Sequence, residues 1–381
     1  MFKDNTRFNH PTKPMHRRVS FLDLRVLDDA ERRELLEAVD TVLRHGRIVM
    51  GPEMAELEGQ LAARIGRRHA VAVNSGTEAL YLGLKALGLK LGDEVITTAL
   101  SWIATANAIA LNGATPVFAD IRDDLNLGPE SVRRLITPRT KAILPVHYTG
   151  KVCEMAPLEA MAKQHGLALV EDGSQSFDAR HHGRVSGAFG TLACISLNPM
   201  KVFAACGEAG VVLTDDDNLA ERLIALRYNG TVNRETCIEP SVNGRLDTLQ
   251  AAILLRRLPR VGALVSKRRE NAAFYNRHLA GLVTVPVEQP GEEDVRYTYT
   301  IRASRRDELK KHLEDSGVEI KIQHPLLMPE QPAYRATARG EWTNAKRLVR
   351  AVMCLPVHEK LVQADLDHVV DRIKAFGPSL P

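Results

Sequence analysis

Short apolar runs alternate with amphipathic stretches along the first half of the chain. Apolar residues recur at helical spacing from Asp28 to about Arg44, and a second helix is predicted from Glu53 to Ile65. Alternation of strands with helices predicts a mostly parallel sheet with helices on both faces. The predicted strands are 70–73, 94–97, 116–118, 142–145, 167–170 and 211–214, and the predicted helices between them are 78–87, 104–111, 158–165 and 219–227.

The pattern changes after about Gly210. A long helical region from Leu246 to His278 is predicted to kink at Pro259, because proline removes a helical hydrogen bond. A strand near 297–302 and helices near 306–316 and 363–376 predict a smaller α+β domain. We therefore expect an N-terminal arm over 1–18, a large domain over 19–255 and a smaller C-terminal domain over 256–381.

Composition narrows the class of protein. The chain has 381 residues, enough for two domains, and 51 Lys+Arg against 47 Asp+Glu give a net charge of +4, too small to indicate a nucleic-acid partner. Five scattered cysteines favour reduced thiols over a disulfide framework or a metal site. Residues 1–18 lack the apolar segment of a secretory signal, and no stretch approaches a membrane span. We expect a cytoplasmic protein without a metal or a membrane partner.

Asp172 and Lys201 are the residues that stand out chemically. Asp172 ends a predicted strand, where ligands of open parallel sheets usually bind. Lys201 is the one charged residue in the apolar stretch from Leu192 to Ala205. Pyridoxal 5'-phosphate (PLP) needs an amine to form a Schiff base and a carboxylate to keep its ring nitrogen protonated. The pair suits that cofactor, although singly an aspartate there can cap a loop and a lysine is usually exposed.

Other segments could complete such a site. The turn Asn74-Ser75-Gly76-Thr77 follows a strand and opens a helix, where backbone N–H groups and the helix dipole favour an anion such as phosphate. A plain helix cap is the alternative. Gln175 could donate to the phenolic oxygen of the PLP ring, or be a surface residue. Trp102 could stack on the ring, or belong to the core.

The order of these motifs resembles the DegT/DnrJ/StrS family of PLP-dependent aminotransferases, which act mainly on nucleotide-linked keto-sugars. The resemblance extends from about Val19 to the C-terminus. It rests on Gly51-Pro52-Glu53, Ser75-Gly76-Thr77-Glu78-Ala79-Leu80, Pro145-Val146-His147, Glu171-Asp172 with Gln175, Pro199-Met200-Lys201, and Asn243-Gly244-Arg245-Leu246-Asp247.

The resemblance implies an α/β fold of the aspartate-aminotransferase type, active as a homodimer with its sites at the interface. It also implies transfer of an amino group, with glutamate as the expected donor, in amino-sugar biosynthesis. By the family pattern Lys201 is the Schiff-base lysine and Asp172 the partner of the ring nitrogen. The remaining implied roles are phosphate binding by Gly76, Thr77 and Ser196, stacking by Trp102, a ring-oxygen contact by Gln175, a phosphate contact by Asn243 from the neighbouring subunit, and a substrate contact by His324.

Four departures from the family pattern weaken any assignment of the substrate. The usual Gly-Glu-Gly-Gly is here Gly207-Glu208-Ala209-Gly210, and Trp102 replaces a more usual phenylalanine. Gly173-Ser174 follows Asp172 where two alanines are common, and Asp178 stands where a glycine often sits. None removes a required chemical group. Two other functions stay open: a PLP-dependent sugar dehydratase, although such relatives usually lack the lysine, and a non-catalytic regulatory protein with the same fold, which would need neither Lys201 nor Asp172. The sugar, its nucleotide and the aminated carbon are not predicted.

Overall fold

Strands in a computed structural model of the chain, which describes residues 17–380, form one large sheet and several small ones. In chain order they are β1 (His69–Val73), β2 (Glu94–Thr98), β3 (Thr115–Ala119), β4 (Thr140–Leu144), β5 (Ala168–Asp172), β6 (Arg180–His181), β7 (Arg184–Val185), β8 (Leu192–Ser196), β9 (Gly210–Thr214), β10 (Thr231–Val232), β11 (Thr236–Cys237), β12 (Glu292–Glu293), β13 (Tyr299–Arg302) and β14 (Val352–Leu355).

The large sheet has seven strands in the order β1-β9-β8-β5-β4-β2-β3. Strands β8, β5, β4, β2 and β3 are mutually parallel, whereas β9 lies antiparallel between β1 and β8. The prediction of a mostly parallel sheet is therefore confirmed. Because all strands except β9 run in one direction, the residues that follow them gather along one edge.

Helices cover both faces of this sheet, and others, including α10 and α12, pack in a second core. In chain order the helices are α1 (Asp29–His45), α2 (Pro52–Ile65), α3 (Gly76–Ala86), α4 (Ala104–Leu111), α5 (Pro129–Leu135), α6 (Met155–His165), α7 (Asp217–Leu226), α8 (Thr248–Arg257), α9 (Val261–Leu279), α10 (Arg306–Asp315), α11 (Thr343–Val349) and α12 (Gln363–Phe376). Alternation along β9 shows the two faces: Val211 and Leu213 pack in the core that includes α2 and α8, and Val212 packs in the core that includes α3 and α7.

The predicted long helix over 246–278 is interrupted where the sequence indicated. Helix α8 ends at Arg257, a short 3-10 turn covers Leu258–Arg260, and α9 begins at Val261. Pro259 lies in that turn, and it has no N–H to continue the helical ladder. Helix α3 begins at Gly76, two residues before the predicted start, because Ser75 caps it by accepting from the Glu78 N–H.

A second core lies beyond the large sheet and includes α10, α12, β13 and β14, with Val19 packed into it. Strand β13 pairs antiparallel with β14, so this part is a smaller α+β unit, as predicted. The division near residue 255 stays a prediction, and the predicted arm over 1–18 lies outside the described residues except for Arg17 and Arg18. Among residues 17–380, no helix combines the length and apolarity that a membrane crossing requires.

Gly210 should tolerate no side chain, because a Cβ built there would lie 2.3 Å from the carbonyl oxygen of Ser75. We expect Gly210→Ala to lower the free energy of unfolding by about 1–3 kcal/mol, through overpacking against backbone that cannot move aside. Gly59, exposed inside α2, has no atom within 4 Å of the point that a Cβ would occupy. Gly59→Ala should therefore stabilise the protein by about 0.5–1 kcal/mol. Urea unfolding of both variants measures the two effects, and equal shifts would contradict the role assigned to Gly210.

Candidate active site

Asp172 lies at the carboxyl end of β5 with its side chain fixed by two hydrogen bonds. Thr105, in the first turn of α4, donates from its hydroxyl to Oδ2 at 3.1 Å, and the Ser174 N–H donates to Oδ1 at 3.1 Å. The residue is 4% exposed. The carboxylate therefore has a defined orientation, which a partner for a protonated ring nitrogen requires.

The neighbouring acid, Glu171, points to the other face of β5. Its Oε2 accepts from the Gly187 N–H at 2.8 Å and lies 2.9 Å from Nε2 of His147. Because Nδ1 of His147 accepts from the Cys153 N–H, the ring proton is on Nε2 and Glu171 is its acceptor. This buried network holds the end of β5, and with it Asp172, in place.

The turn before α3 has the geometry of an anion site. Ser75 Oγ accepts from the Glu78 N–H, and Ser75 O accepts from the Ala79 N–H. The N–H groups of Gly76 and Thr77 remain for a ligand. A Cβ on Gly76 would lie 2.3 Å from the Cβ of Ser196, so only glycine lets the turn approach the end of β8 this closely.

Lys201 lies in the loop that follows β8. Its backbone N–H donates to the carbonyl of Asn198 at 2.9 Å, and the Asn198 amide donates to Glu208 at 2.7 Å. The Lys201 ammonium lies 4.9 Å from the ring centroid of Tyr297. The loop thus places the amine beside the segment that leads into β13.

Gln175 is buried, and its amide oxygen accepts from the Thr149 N–H at 3.0 Å. The amide nitrogen is therefore the end available to donate to a ring oxygen. The carbonyl of Thr149 in turn accepts from the Thr298 N–H at 3.3 Å. A Cβ on Gly150 would lie 2.7 Å from the backbone nitrogen of Tyr297, so the two segments meet through a close backbone contact.

Trp102 and His324 lie against each other. Trp102 is 62% exposed, and its ring centroid is 5.9 Å from that of His324. Nδ1 of His324 is 3.1 Å from the hydroxyl of Tyr148. Burial, together with the charges of Lys321 and Lys201, lowers the pKa of His324 from 6.5 to about 4. His324 is thus neutral near neutral pH and lies within electrostatic reach of Lys201.

Asn243 occupies a more peripheral position. Its side chain is exposed and accepts from the Arg245 guanidinium at 2.8 Å, while its carbonyl accepts from the Asn74 amide at 3.1 Å. It therefore lies beside the turn before α3 in its own chain. Its contact with a phosphate of a neighbouring subunit stays a prediction.

These residues fit PLP. At the start of α3, Gly76 leaves space that a Cβ would fill, and free backbone N–H groups face that space. The oriented carboxylate of Asp172 and the amine of Lys201 follow strands that end at the same edge of the sheet. Sequence reasoning did not assign roles to Thr105, Tyr148, Thr149 or Tyr297. Their contacts are formed between segments distant in sequence, and no local pattern marks them.

Comparisons with known proteins give matches over nearly the whole chain. A family model described as the DegT/DnrJ/EryC1/StrS aminotransferase family matches residues 29–374. A Streptomyces venezuelae protein named dTDP-3-amino-3,4,6-trideoxy-alpha-D-glucose transaminase is 38% identical over 94% of this chain and 96% of its own length. A Geobacillus stearothermophilus protein named pleiotropic regulatory protein is 35% identical over 94% of this chain and 98% of its own.

Among solved structures, NtdA from Bacillus subtilis, crystallised with bound cofactor PMP, superposes with a TM-score of 0.88 and 30% identity. The match covers 96% of this chain and 86% of that one. The predicted fold of the aspartate-aminotransferase type is confirmed by this likeness and by the family match.

The lowered pKa of His324 should make stability depend on pH. Between pH 6.5 and about 4 the unfolded chain binds a proton at this residue and the folded chain does not, so stability falls as the pH falls. The contribution is at most about 1.4 kcal/mol per pH unit. Urea unfolding of the cofactor-free protein at pH 6.5 and pH 5 should show a shallower pH dependence for His324→Gln than for the wild type. An unchanged slope would show that His324 is not shielded from protonation.

Proposed function

The chain belongs to the DegT/DnrJ/EryC1/StrS aminotransferase family, and from that premise we propose that it transfers an amino group from glutamate to a nucleotide-linked keto-sugar, with PLP as cofactor. The observation that carries this proposal is the meeting of three features at one sheet edge. They are the Lys201 amine, the hydrogen-bonded carboxylate of Asp172 and the glycine-lined start of α3. A binding module without turnover would need neither the lysine nor the acid.

The residues have distinct roles toward the cofactor. When bound, PLP supplies an electrophilic carbon for amine exchange and a ring that withdraws electrons from the carbon being deprotonated. Asp172 keeps the proton on the ring nitrogen, and Gln175 donates to the ring oxygen. The N–H groups of Gly76 and Thr77, with the Ser196 hydroxyl, hold the phosphate.

Two further residues have roles at the cofactor. Trp102 covers the ring face, and its indole lies against His324, a residue on which the charge of Lys201 acts. Lys201 is the Schiff-base lysine, and with PLP bound its amine, when free, would accept and return the proton that must move between donor and cofactor. The loop from Asn198 to Glu208 holds it in position.

The acceptor class is supported by the relatives. The Streptomyces venezuelae protein carries a name that states transamination of a dTDP-linked sugar, and its match spans nearly the whole of both chains. We assign the same class of acceptor to this chain, a keto-sugar linked to a nucleotide. The particular sugar, nucleotide and ring carbon are left to experiment.

A regulatory role is the second candidate, favoured by the name of the Geobacillus stearothermophilus relative. The two candidates differ in what they require of the site. An aminotransferase needs Lys201 as a free amine and Asp172 as an oriented acid, and this chain has both. Purified protein that stays colourless and gains no visible absorbance with added PLP would favour regulation.

We also propose that the chain acts as a homodimer. Large apolar side chains are exposed along one side of α1 and in the segment that follows it; they are Leu36, Leu43, Ile48 and Val49. Leu36 and Leu43 lie two helical turns apart, so they share a face. Met200, next to the Schiff-base lysine, is also 46% exposed. Burial of these side chains against a second copy would place the subunit contact beside the site, and light scattering after gel filtration tests the mass.

Lys201→Ala should abolish amino transfer and the visible absorbance of bound PLP, because alanine cannot form a Schiff base. Lys201→Arg should fail in the same way, since arginine keeps the charge but cannot lose its proton. Lys141→Ala, at an exposed position of β4, is the matched control and should retain full activity. Circular dichroism checks folding, and turnover by Lys201→Ala at the wild-type rate would rule out the assigned role.

The acceptor class is tested by supplying glutamate and a panel of nucleotide-linked keto-sugars to the PLP-loaded protein. We expect 2-oxoglutarate to exceed one equivalent per bound PLP only with the sugars that are substrates, because glutamate alone converts the cofactor once, and NMR of the product identifies the aminated carbon. Free keto-sugars without a nucleotide are the control and should react poorly. Equal rates with free and nucleotide-linked sugars would contradict the proposed acceptor class.

A further inference from the structure

His324 has an unusual backbone conformation. Its φ is +53°, in the left-handed region, and the next residue is Pro325. Few non-glycine residues adopt positive φ, and a following proline restricts the backbone further. Such a conformation is unfavourable and persists only where its surroundings enforce it. The contacts of the His324 ring supply such surroundings.

The ring is held between two aromatic side chains. Its centroid lies 5.7 Å from that of Tyr148 and 5.9 Å from that of Trp102. Tyr148 is 3% exposed, and burial raises the pKa of its phenol well above the usual value, so the hydroxyl keeps its proton. Tyr148 is thus a neutral hydroxyl fixed against the imidazole edge.

The hydroxyl of Tyr148 has two acceptors within reach. Nδ1 of His324 is at 3.1 Å, and the carbonyl oxygen of Gln323 is at 3.5 Å, beyond the usual range for an O–H···O bond. The shorter contact, to Nδ1, favours the phenol as the donor there. An imidazole that accepts at Nδ1 while neutral must carry its proton on Nε2.

Nε2 of His324 is open to a ligand. Among residues 17–380, no group forms a hydrogen bond with this nitrogen. The nitrogen is not fully buried, so a ligand can reach it. The charge of Lys201 acts on this ring, and Trp102 lies against it. The free N–H is therefore located beside the residues that we assign to the reaction.

We propose that Tyr148 is a positioning residue that holds His324 in the Nε2–H form, so that this N–H donates a hydrogen bond to the carbonyl oxygen of the keto-sugar. This inference rests on the proposed function and assigns a donor to its second substrate. The hydrogen bond polarises the C=O bond toward attack by the amine. The proton stays on Nε2, and no bond of the imidazole is made or broken. A neutral imidazole can polarise a carbonyl in this way.

The role predicts a difference between the two halves of the reaction. Amine removal from glutamate involves no ketone at the start, whereas amine delivery to the sugar depends on attack at its carbonyl. Loss of a fixed donor should therefore slow the sugar half-reaction and leave the glutamate half-reaction within about twofold of the wild type. One hydrogen bond corresponds to about a 3- to 10-fold change.

The test uses Tyr148→Phe, which removes the hydroxyl and keeps the ring. The matched control is Tyr334→Phe, since Tyr334 packs in the same core and its hydroxyl donates to Asn107 at 2.6 Å without touching His324. Full-length protein labelled with 15N-histidine reports the tautomer of each imidazole, and the resonances absent from His324→Gln assign that residue. This spectrum is recorded with and without PLP.

We expect a pure Nε2–H form of His324 in the wild type and in Tyr334→Phe, and a mixture of tautomers in Tyr148→Phe. Single-turnover absorbance should show the sugar half-reaction slowed about 3- to 10-fold in Tyr148→Phe alone. A wild-type Nδ1–H form, an unchanged tautomer in Tyr148→Phe, or equal slowing of both half-reactions would overturn the proposal. If the wild type aminates no keto-sugar, the acceptor class is refuted, and with it the hydrogen bond from His324 to the sugar carbonyl. The 15N spectrum would still decide whether Tyr148 sets the tautomer of His324.

Discussion

The close backbone approach at Gly76 and Gly210 is the constraint on which the site depends. A Cβ at either position would overlap atoms of the neighbouring segment, at Ser196 in one case and at Ser75 in the other. The turn before α3 is therefore held directly against the ends of β8 and β9. Strand β9 is antiparallel to its neighbours, so its first residue, and not its last, meets this edge. The anion site takes its position from this contact, at the edge where Asp172 ends β5 and the lysine loop follows β8.

A second contact connects the smaller unit with the residues of the site. The segment at Thr149 and Gly150 bonds to Gln175 on one side and to the loop that leads into β13 on the other. Tyr297, in that leading segment, lies over the Lys201 ammonium. Lys201 thus lies in a loop of the large sheet while its amine contacts Tyr297, which precedes β13 of the smaller unit. A displacement of β13 relative to the large sheet would therefore change the surroundings of this amine.

Much of this arrangement could be predicted from sequence because it is local. Strand–helix alternation predicts the sheet, and the short polar turns after the strands predict where Asp172 and Gly76 lie. The break at Pro259 follows from the missing N–H. The contacts of Thr105, Tyr148 and Tyr297 could not be predicted, since each joins segments far apart in sequence. Helices α5 and α11, of seven residues each, are too short to show a helical period.

The chain has two tryptophans, and their environments differ sharply. Trp342 is 7% exposed, with its indole N–H donating to the carbonyl of Phe118, whereas Trp102 is 62% exposed beside His324. The two indoles should therefore fluoresce at different wavelengths. Emission from buried Trp342 reports on the packing of the chain, and emission from exposed Trp102 reports on the site. Quenching of the long-wavelength component alone would follow occupancy of the site without any added label.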